Sequence, residues 1–388
     1  MKKVCIVTGT RAEYGLLKPV IDKVYRSDQL ELQLVVTGMH LSTEFGLTYR
    51  EIEEDGYPIA SKIEMLLGSD TPVGITKSMG VAMIGFADCL DSIKPDLMVI
   101  LGDRYEMLVA ASAAMVAGIP IAHIHGGELT EGAIDDAIRH SITKMSYLHF
   151  TTTEEYRNRV IQLGEEPQRV YNVGSLGVEN IKEQKLMQRA ELEHSIGFSL
   201  DQPYVMVTFH PVTLEKNMAR QQFENLLCAL DELDRYKIIF TKANADAEGR
   251  IINQLIDAYV NKNSDRAAAF TSLGMLRYLS ALQQCEMVIG NSSSGVIEAP
   301  SFKIPTVNIG NRQSGRVHAA SVIDCGNSVE DIRRAVKEAG ELRQSTALAG
   351  IENPYEKQGT SDKIFDEIQR FLLQDRMADK KFYNISFQ

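Results

Sequence analysis

The stretch from Asn291 to Glu298 has the composition of a binding site for a phosphorylated ligand. It reads Asn-Ser-Ser-Ser-Gly-Val-Ile-Glu and follows the apolar run Met287–Gly290, so it predicts a strand, a tight turn and the start of a helix. Three serine hydroxyls, the backbone N–H groups of the turn and the positive end of the helix suit a phosphate or diphosphate. Glu298, one turn into the helix, can accept hydrogen bonds from a ribose diol. The alternative is a serine that caps an ordinary helix.

Two further turns carry a charged group directly after an apolar strand pattern. The turn Gly9–Gly15 lacks the GxGxxG spacing of a dinucleotide site. Its Arg11 can offer a planar fork to a phosphate or carboxylate, unless it pairs locally with Glu13. Asp103 follows the apolar run Leu97–Leu101, and burial at the carboxyl edge of a sheet can bring a carboxylate into the range useful for proton transfer. The alternative for Asp103 is the N-cap of the next helix.

A turn rich in histidine and glycine follows the apolar run 120–124. Two histidines and Glu128 suggest a metal site, but the glycine pair breaks the helical spacing of an HExxH-type site, so we predict no metal here. His125 and Glu128 are instead predicted to face a ligand that approaches the backbone at the glycines. The following helix opens with Asp135 and Asp136, which also suit its N-terminal dipole.

The second half of the chain repeats this arrangement. His210 follows an apolar run, and a histidine in that position can titrate near neutral pH. Lys242 and Asn244 follow another such run, and Arg312 and Arg316 come shortly after the serine-rich stretch. Both halves therefore place anion-binding and titratable groups on turns that follow strands. This repetition predicts a cleft for a phosphorylated ligand between two domains.

Short apolar runs alternate with helical patterns along the chain. Their hydrophobicity is continuous, as in a parallel sheet covered on both faces. The rhythm pauses near residue 175 and restarts after a polar stretch at 179–194, which predicts an α/β protein with two Rossmann-like doubly wound domains facing each other. We place the N-terminal domain at 1–175 and the C-terminal nucleotide-binding domain at 176–359, with a final helix within 360–388 that can return to the first domain. The predicted strands are Val4–Thr8, Leu32–Thr37, Leu97–Leu101, Pro120–Ile124, Leu148–Thr152, Tyr204–Phe209, Lys237–Thr241, Ala268–Phe270, Met287–Ile289 and Thr306–Ile309.

The composition argues against several classes of protein. The 388 residues carry a formal net charge of −11, which disfavours a nucleic-acid partner. The five cysteines are scattered, with no CxxC pair, as is typical of small buried residues in a reducing cytosol. The apolar run at the N-terminus is too short for a signal peptide, and no run approaches the roughly 20 apolar residues of a membrane span. We therefore expect a cytoplasmic protein with no membrane partner.

Taken together, these turns resemble those of the hydrolysing UDP-N-acetylglucosamine 2-epimerases, of the type that serves bacterial sialic acid biosynthesis. The likeness covers roughly residues 1–375, and the set of motifs is specific although no single motif is. The motifs are Gly9–Tyr14, Thr37–His40, Leu101–Glu106, His123–Glu128, Ile138–Lys144, Phe209–Pro211, Gly290–Glu298 and Gly310–Arg316.

The resemblance implies a fold of the glycosyltransferase-B type with the active site between the domains. It also implies a reaction in which UDP-N-acetylglucosamine and water give N-acetylmannosamine and UDP. In that reaction the C2 proton is removed, UDP leaves to form 2-acetamidoglucal, and water adds with inversion at C2. No metal or nicotinamide cofactor is expected, and the resemblance implies a homodimer or homotetramer.

Individual roles follow from the positions that match the family's motifs. Asp103 and Asp135 match carboxylates implicated in proton transfer, and His210 matches a histidine at the cleft. Many relatives have glutamate where this chain has His125, so His125 or Glu128 must take over any acid–base work done there. Glu298 matches the glutamate that binds ribose. The other residues expected to bind substrate are Arg11, Glu13, Arg104, Arg139, Asn244, Ser292, Ser293, Ser294, Gly295 and Arg316.

Three other functions remain open at this point. A glycosyltransferase of the same fold would also bind a nucleotide sugar, because fold does not fix chemistry. A non-catalytic nucleotide-sugar sensor would bind without turnover. A sister epimerase acting on a UDP- or GDP-linked 2,4-diacetamido-6-deoxy sugar would share the same motifs.

Overall fold

The computed structural model describes residues 1–69, 71–130, 134–212, 218–243, 248–374 and 379–386. The chain forms two compact units. Unit 1 comprises Met1–Glu128, Asp135–Asn180 and Lys357–Gln388, and unit 2 comprises Leu129–Ile134 and Ile181–Glu356.

Unit 1 is built on a seven-stranded sheet in which neighbouring strands pair in parallel. The order across the sheet is β3-β2-β1-β4-β5-β6-β7, so the strand order reverses at β1 and β4, where doubly wound sheets bind their ligands. The strands are β1 Lys2–Thr8, β2 Leu30–Thr37, β3 Ile59–Ile63, β4 Leu97–Leu101, β5 Ile121–Ile124, β6 Leu148–Thr151 and β7 Val170–Asn172.

Unit 2 has a six-stranded parallel sheet with the order β10-β9-β8-β11-β12-β13. Here the strand order reverses at β8 and β11, and the serine-rich stretch follows β11 directly. The strands are β8 Tyr204–Thr208, β9 Lys237–Thr241, β10 Ala267–Phe270, β11 Met287–Gly290, β12 Thr306–Ile309 and β13 Val322–Cys325.

Helices connect the strands in both units. Their bounds are α1 Arg11–Tyr25, α2 Tyr49–Glu54, α3 Pro72–Ile93, α4 Tyr105–Val116, α5 Asp135–Met145, α6 Glu154–Gln162, α7 Leu176–Glu183, α8 Arg189–Ile196, α9 Ala219–Leu230, α10 Gly249–Lys262, α11 Gly274–Gln284, α12 Ser293–Ile297, α13 Val329–Gln344 and α14 Thr360–Leu372.

Each sheet is covered on both faces. Along β1, Val4 and Ile6 belong to one apolar cluster, whereas Cys5 and Val7 belong to the cluster on the other face. The same alternation occurs along β8. Because both sets of side chains are buried, the strands read as continuous apolar runs in the sequence. The predicted class, two doubly wound α/β domains, is confirmed.

Some elements were not expected from the sequence. The sequence pattern does not predict the strands β3, β7 and β13. The helix α8 lies in the polar stretch that the pattern predicts as a pause between the domains. The strand β7 has three residues, and β3 and β13 are only partly buried, so neither gives a continuous apolar run. Cys228 is exposed, contrary to the expectation of buried cysteines.

The helix α3 is long and apolar enough, by length and composition, to cross a membrane, contrary to the sequence-based expectation. One such helix is weak evidence for a membrane span, because a helix in a protein core can have the same length and composition. Ala82, Phe86 and Leu90 of α3 pack in one of the apolar clusters of unit 1, and 33% of the apolar stretch of this helix is buried.

Candidate active site

The turn after β1 is organised by a capping box at the start of α1. Thr10 is the N-cap residue, and its hydroxyl accepts a hydrogen bond from the Glu13 N–H (3.2 Å). The Oε2 atom of Glu13 in turn accepts from the N–H groups of Gly9 (2.8 Å) and Thr10 (3.2 Å). These bonds satisfy backbone donors that a helix leaves unpaired. Glu13 thus shapes the turn that presents Arg11, and its contact with substrate stays a prediction.

Arg11 extends from this turn to a neighbouring helix. Its Nε lies 2.6 Å from Oε2 of Glu51 on α2, and both side chains are partly exposed. The guanidinium is therefore oriented by an acidic partner that the sequence analysis did not identify. An arginine held in this way can still present its remaining N–H groups to an anion.

A second arginine is oriented at the end of β4. Nε of Arg104 lies 2.6 Å from Oε1 of Glu106, whose side chain is almost fully buried. The carboxylate fits there because a Cβ atom on Gly9 would lie 2.7 Å from Oε1 of Glu106. Burial and the charge of Glu106 raise the pKa of Glu13 to about 7. The turns after β1 and β4 therefore share one cluster of two carboxylates and one guanidinium.

Asp103 is held by an arginine and does not cap a helix. The N-cap residue of α4 is Arg104, so the capping alternative for Asp103 is wrong. Its Oδ2 instead accepts a hydrogen bond from Nη2 of Arg139, which is buried on α5. The Nη1 atom of Arg139 donates to the carbonyl of Glu128 (2.8 Å). Arg139 thereby connects the turn after β4 with the turn after β5. Asp103 and Arg139 are 36 residues apart in the sequence.

The turn after β5 brings His125 and Glu128 close together. Nδ1 of His125 lies 4.0 Å from Oε1 of Glu128, which also accepts a hydrogen bond from the hydroxyl of Thr152 (3.1 Å). His125 has a φ of +68°, a conformation that is unusual outside glycine and is often found at functional sites. Gly127 permits the turn, because a Cβ atom there would lie 2.4 Å from the carbonyl of Tyr156.

His123 has a structural position inside the sheet. Its Nε2 lies 2.8 Å from the carbonyl of Gly102 and its Nδ1 lies 3.1 Å from the hydroxyl of Thr143. Burial lowers the pKa of His123 to about 3, so its ring is neutral at neutral pH. His123 therefore tethers the turn that carries Asp103 and adds no charge to it.

The acidic start of α5 lies near the same cluster. Asp135 is the first residue of α5 and is four residues from Arg139, a spacing that places both on one helix face. Oδ1 of Asp136 lies 3.6 Å from Nη1 of Arg139. In the part of the chain that the structure describes, no group of three or more His, Cys, Asp or Glu side chains could hold a metal ion.

The serine-rich turn of unit 2 begins α12 as predicted. Ser292 is the N-cap residue and Ser293 is the first residue of the helix. The hydroxyl of Ser294 accepts a hydrogen bond from the phenol of Tyr278 (2.6 Å). Because burial raises the pKa of Tyr278, the phenol stays protonated and leaves the Ser294 O–H to donate elsewhere.

The two glycines beside these serines serve backbone packing. A Cβ atom on Gly290 would lie 1.9 Å from the carbonyl of Thr208, so only glycine lets β11 approach β8 this closely. A Cβ atom on Gly295 would lie 2.7 Å from Cγ2 of Thr306, whose hydroxyl donates to the Gly295 carbonyl (2.7 Å). Gly295 therefore seats α12 against β12, and its expected contact with substrate stays a prediction.

The remaining predicted residues of unit 2 lie on neighbouring turns. His210 is buried directly beyond β8, and Glu298 is the C-cap residue of α12. Nε of Arg316 donates to the carbonyl of Leu129 (2.9 Å), which places its guanidinium on the segment after Glu128. Asn244 lies outside the described residues. The predicted cleft between the two domains stays a prediction.

Residues that the sequence analysis missed act mainly through these turns. Glu51, Glu106 and Thr152 each hold a predicted site residue. Asn291 stands out in the sequence only as the first residue of the serine-rich stretch, yet its side chain forms two hydrogen bonds with the main chain of His210. An amide directly after a buried strand was the available signal, but its partner lies 81 residues away.

Comparison with known proteins assigns the chain to a family. The model of the UDP-N-acetylglucosamine 2-epimerase family matches residues 22–369. The chain belongs to this family. It is 45% identical over 346 residues, 89% of either chain, to a protein of Campylobacter jejuni named GDP/UDP-N,N'-diacetylbacillosamine 2-epimerase (hydrolyzing). It is 39% identical over 386 residues, 99% of this chain and 98% of the other, to the polysialic acid biosynthesis protein P7 of Escherichia coli.

A solved structure supports the fold. The crystal structure of the Methanocaldococcus jannaschii UDP-GlcNAc 2-epimerase, in complex with UDP-GlcNAc and UDP, superimposes with a TM-score of 0.78 at 20% identity. The match covers 95% of this chain and 99% of that one. The protein is thus an enzyme of the UDP-N-acetylglucosamine 2-epimerase family with the family's fold.

Proposed function

We propose that this enzyme is a hydrolysing 2-epimerase of a nucleoside-diphosphate-linked 2-acetamido sugar. It removes the C2 proton, expels the nucleoside diphosphate from C1 and adds water across the resulting double bond, with inversion at C2. The observation that carries the proposal is the group formed by Asp103, Arg139 and Glu128 at the carboxyl ends of β4 and β5. Family membership supports the reaction class.

The turns of unit 1 supply the proton transfers. The guanidinium of Arg139 contacts the carboxylate of Asp103, and we assign this carboxylate to accepting the C2 proton. His125 and Glu128 lie together on the adjacent turn, and we assign them and Asp135 to returning a proton to C2 from the opposite face. Arg139 acts by holding Asp103 in place.

The turns of unit 2 bind the part of the substrate that does not react. Ser292, Ser293 and Ser294 offer hydroxyl and N–H donors to the diphosphate, and Glu298 accepts from the ribose diol. Arg11 and Arg104, on turns of unit 1, supply positive charge as the leaving group departs. His210 is assigned to protonating or orienting that leaving group.

For the sugar itself, we propose a 2,4-diacetamido-6-deoxy sugar linked to UDP or GDP. The 45% identity to the Campylobacter protein supports this choice. UDP-N-acetylglucosamine, which would give N-acetylmannosamine for sialic acid biosynthesis, is the second candidate. The 39% identity to the Escherichia coli protein over nearly the whole of both chains supports it.

Product analysis separates these candidates. Purified enzyme is incubated with UDP-N-acetylglucosamine, UDP-diacetylbacillosamine or GDP-diacetylbacillosamine, and the products are identified by NMR, with Asp103→Asn as the control for contaminating epimerase. We expect free 2-epimerised sugar and nucleoside diphosphate, with the highest kcat/KM for a diacetamido substrate. A higher kcat/KM for UDP-N-acetylglucosamine would transfer the assignment to the second candidate. Release of nucleoside diphosphate only when an acceptor is present, with the sugar transferred to that acceptor, would indicate a glycosyltransferase. Binding without turnover would indicate a sensor.

We further propose that the enzyme works in the cytoplasm as a homodimer or homotetramer. Apolar side chains on α3 that remain exposed in the single chain, Val73, Val81 and Ile84, support an interface there. Light scattering after size-exclusion chromatography tests it. The expected mass is that of two or four chains, reduced by Ile84→Glu, and a monomeric wild type would contradict the proposal.

A further inference from the structure

Asn291 makes an amide clamp on the main chain of His210. It lies directly after β11 and is fully buried. Its Oδ1 accepts a hydrogen bond from the His210 N–H (2.7 Å), and its Nδ2 donates to the His210 carbonyl (2.8 Å). Both backbone groups of His210 lie beyond the end of β8, where the sheet no longer offers them strand partners. The amide satisfies both and fixes the residue.

The main chain of Asn291 extends this contact to neighbouring turns. Its N–H donates to the carbonyl of Thr208 (3.1 Å). Its carbonyl accepts from Nη1 of Arg312 (3.1 Å) and from Nε2 of Gln313 (2.8 Å). One buried residue therefore connects the turns after β8, β11 and β12. Its contacts with His210 come from its side chain.

A similar clamp holds Ala243, a residue whose own side chain is not titratable. Asn253 of α10 accepts from the Ala243 N–H (2.8 Å) and donates to the Ala243 carbonyl (3.1 Å). The pattern is thus a device for holding a backbone beyond a strand end. The backbone held in this way carries a methyl group at Ala243 and an imidazole at His210.

We propose that Asn291 is a positioning residue that fixes the imidazole of His210 for the reaction. This inference rests on the proposed function of His210. With N–H and carbonyl both held, the ring keeps only its side-chain torsions, so its place relative to the reacting atoms is set by the clamp. Displacement of a reacting group by about 1 Å can cost on the order of 100-fold in rate, so the clamp matters for kcat.

The test compares three variants at matched buried amides. Asn291→Ala removes both bonds, and Asn291→Asp has the same shape and keeps the acceptor for the His210 N–H but opposes an oxygen to the His210 carbonyl. Asn308→Ala is the control, because Asn308 is buried on the adjacent strand and its side chain donates to Asp324 (2.7 Å). We expect kcat to fall on the order of 10- to 100-fold in both Asn291 variants with little change in UDP affinity, and to stay near wild type in Asn308→Ala.

A double-mutant cycle shows whether Asn291 acts through His210. In the His210→Ala background, Asn291→Asp should cause no further loss of kcat, because the group that it positions is gone. An equal further loss in that background, or wild-type kcat in Asn291→Asp, would overturn the inference. If His210→Ala itself keeps wild-type turnover, the proposed role of His210 fails instead.

A spectroscopic readout keeps the inference testable without turnover. In protein labelled with ¹⁵N-histidine, the ring signals of His210 should shift or broaden in Asn291→Asp and stay unchanged in Asn308→Ala. Unchanged His210 signals in Asn291→Asp would contradict the positioning role, whatever the substrate proves to be.

Discussion

The turns after strands in unit 1 and unit 2 occupy equivalent positions in similar folds but differ in chemistry. In unit 1 they carry ion-paired groups, such as Asp103 with Arg139 and Glu106 with Arg104. In unit 2 the turn after β11 is held by neutral groups, such as the Tyr278 phenol on Ser294. Charged groups with fixed partners suit proton transfer, whereas neutral donors suit a ligand that arrives with its own negative charge. We infer that chemistry resides in unit 1 and nucleotide anchoring in unit 2, with His210 as the exception.

Removal of the charge of Asp103 should give the largest effect. We expect Asp103→Asn to lower kcat on the order of 100-fold or more, the range for losing a general acid–base group. The matched control is Asp96→Asn, because Asp96 lies just before β4 and pairs with Lys2. Steady-state kinetics on both variants, with folding checked by thermal unfolding, makes the comparison. Near-wild-type kcat in well-folded Asp103→Asn would leave this carboxylate a purely structural role.

Two buried glutamates of unit 1 should give opposite pH dependences of stability. Burial and the neighbouring Glu106 raise the pKa of Glu13 to about 7. Burial also opposes ionisation of Glu165, but hydrogen bonds from His149, Lys144 and Lys380 outweigh it and lower the pKa of Glu165 to about 2. A carboxyl whose pKa rises on folding costs stability once it ionises, and one whose pKa falls adds stability while ionised.

The two opposite pH dependences can be measured by comparing the wild type with variants that carry a neutral glutamine at each site. Relative to Glu13→Gln, the wild type should lose unfolding free energy as pH rises from about 4.5 to 7. Relative to Glu165→Gln, it should lose unfolding free energy as pH falls from about 4.5 to 2. The change should be at most about 3 kcal/mol at Glu13 and smaller at Glu165, because its partner Lys144 is partly exposed to solvent. Urea titrations across both pH windows measure the unfolding free energies. If the difference between wild type and neutral variant changed with pH in the same direction at both sites, the charged partners of Glu165 would not distinguish it from Glu13.

Changes in the turn of unit 2 should act on binding. We expect Glu298→Ala to raise KM and the Kd for UDP about tenfold, with less effect on kcat, because it removes a contact to a part of the substrate that does not react. Ser292→Ala should act in the same direction. Glu286→Ala is the control, since Glu286 lies at the opposite end of β11 and pairs with Arg343. Calorimetric titration with UDP measures the affinities, and unchanged values in both site variants would remove this assignment.

The smallest expected effect is that of a chelator. Within the described residues no cluster of ligands suits a metal ion, and the proposed proton transfers use side chains alone. Turnover after prolonged incubation with EDTA should equal that of untreated enzyme. Loss of turnover that one particular divalent ion restores would require a metal in the mechanism.

The sequence was informative where a feature depends on neighbouring residues. Continuous apolar runs identified most strands, and polar residues directly after them identified the turns, because burial on both faces produces that pattern locally. The capping alternative for Asp103 could not be decided in this way, since its partner Arg139 lies 36 residues away. The contact between Asn291 and His210 could not be predicted for the same reason, because these residues are 81 positions apart. Contacts of this kind depend on the strand order, which single-sequence patterns do not specify.

Glycines beside the serine-rich turn show a second limit of sequence patterns. Gly295 is predicted from the sequence to contact substrate, and in the structure it packs against Thr306 of the adjacent strand. A glycine pattern alone does not distinguish close approach of a ligand from close approach of a strand.

In the proposed reaction the enzyme removes the proton at C2 of a nucleotide sugar and returns another from the opposite face. The most direct test is to run the reaction in D₂O and examine the released sugar by proton NMR. We expect deuterium at C2, because the returning proton comes from an enzyme group in exchange with solvent. Product formed in D₂O with its C2 proton fully retained would contradict this account and indicate simple hydrolysis or glycosyl transfer.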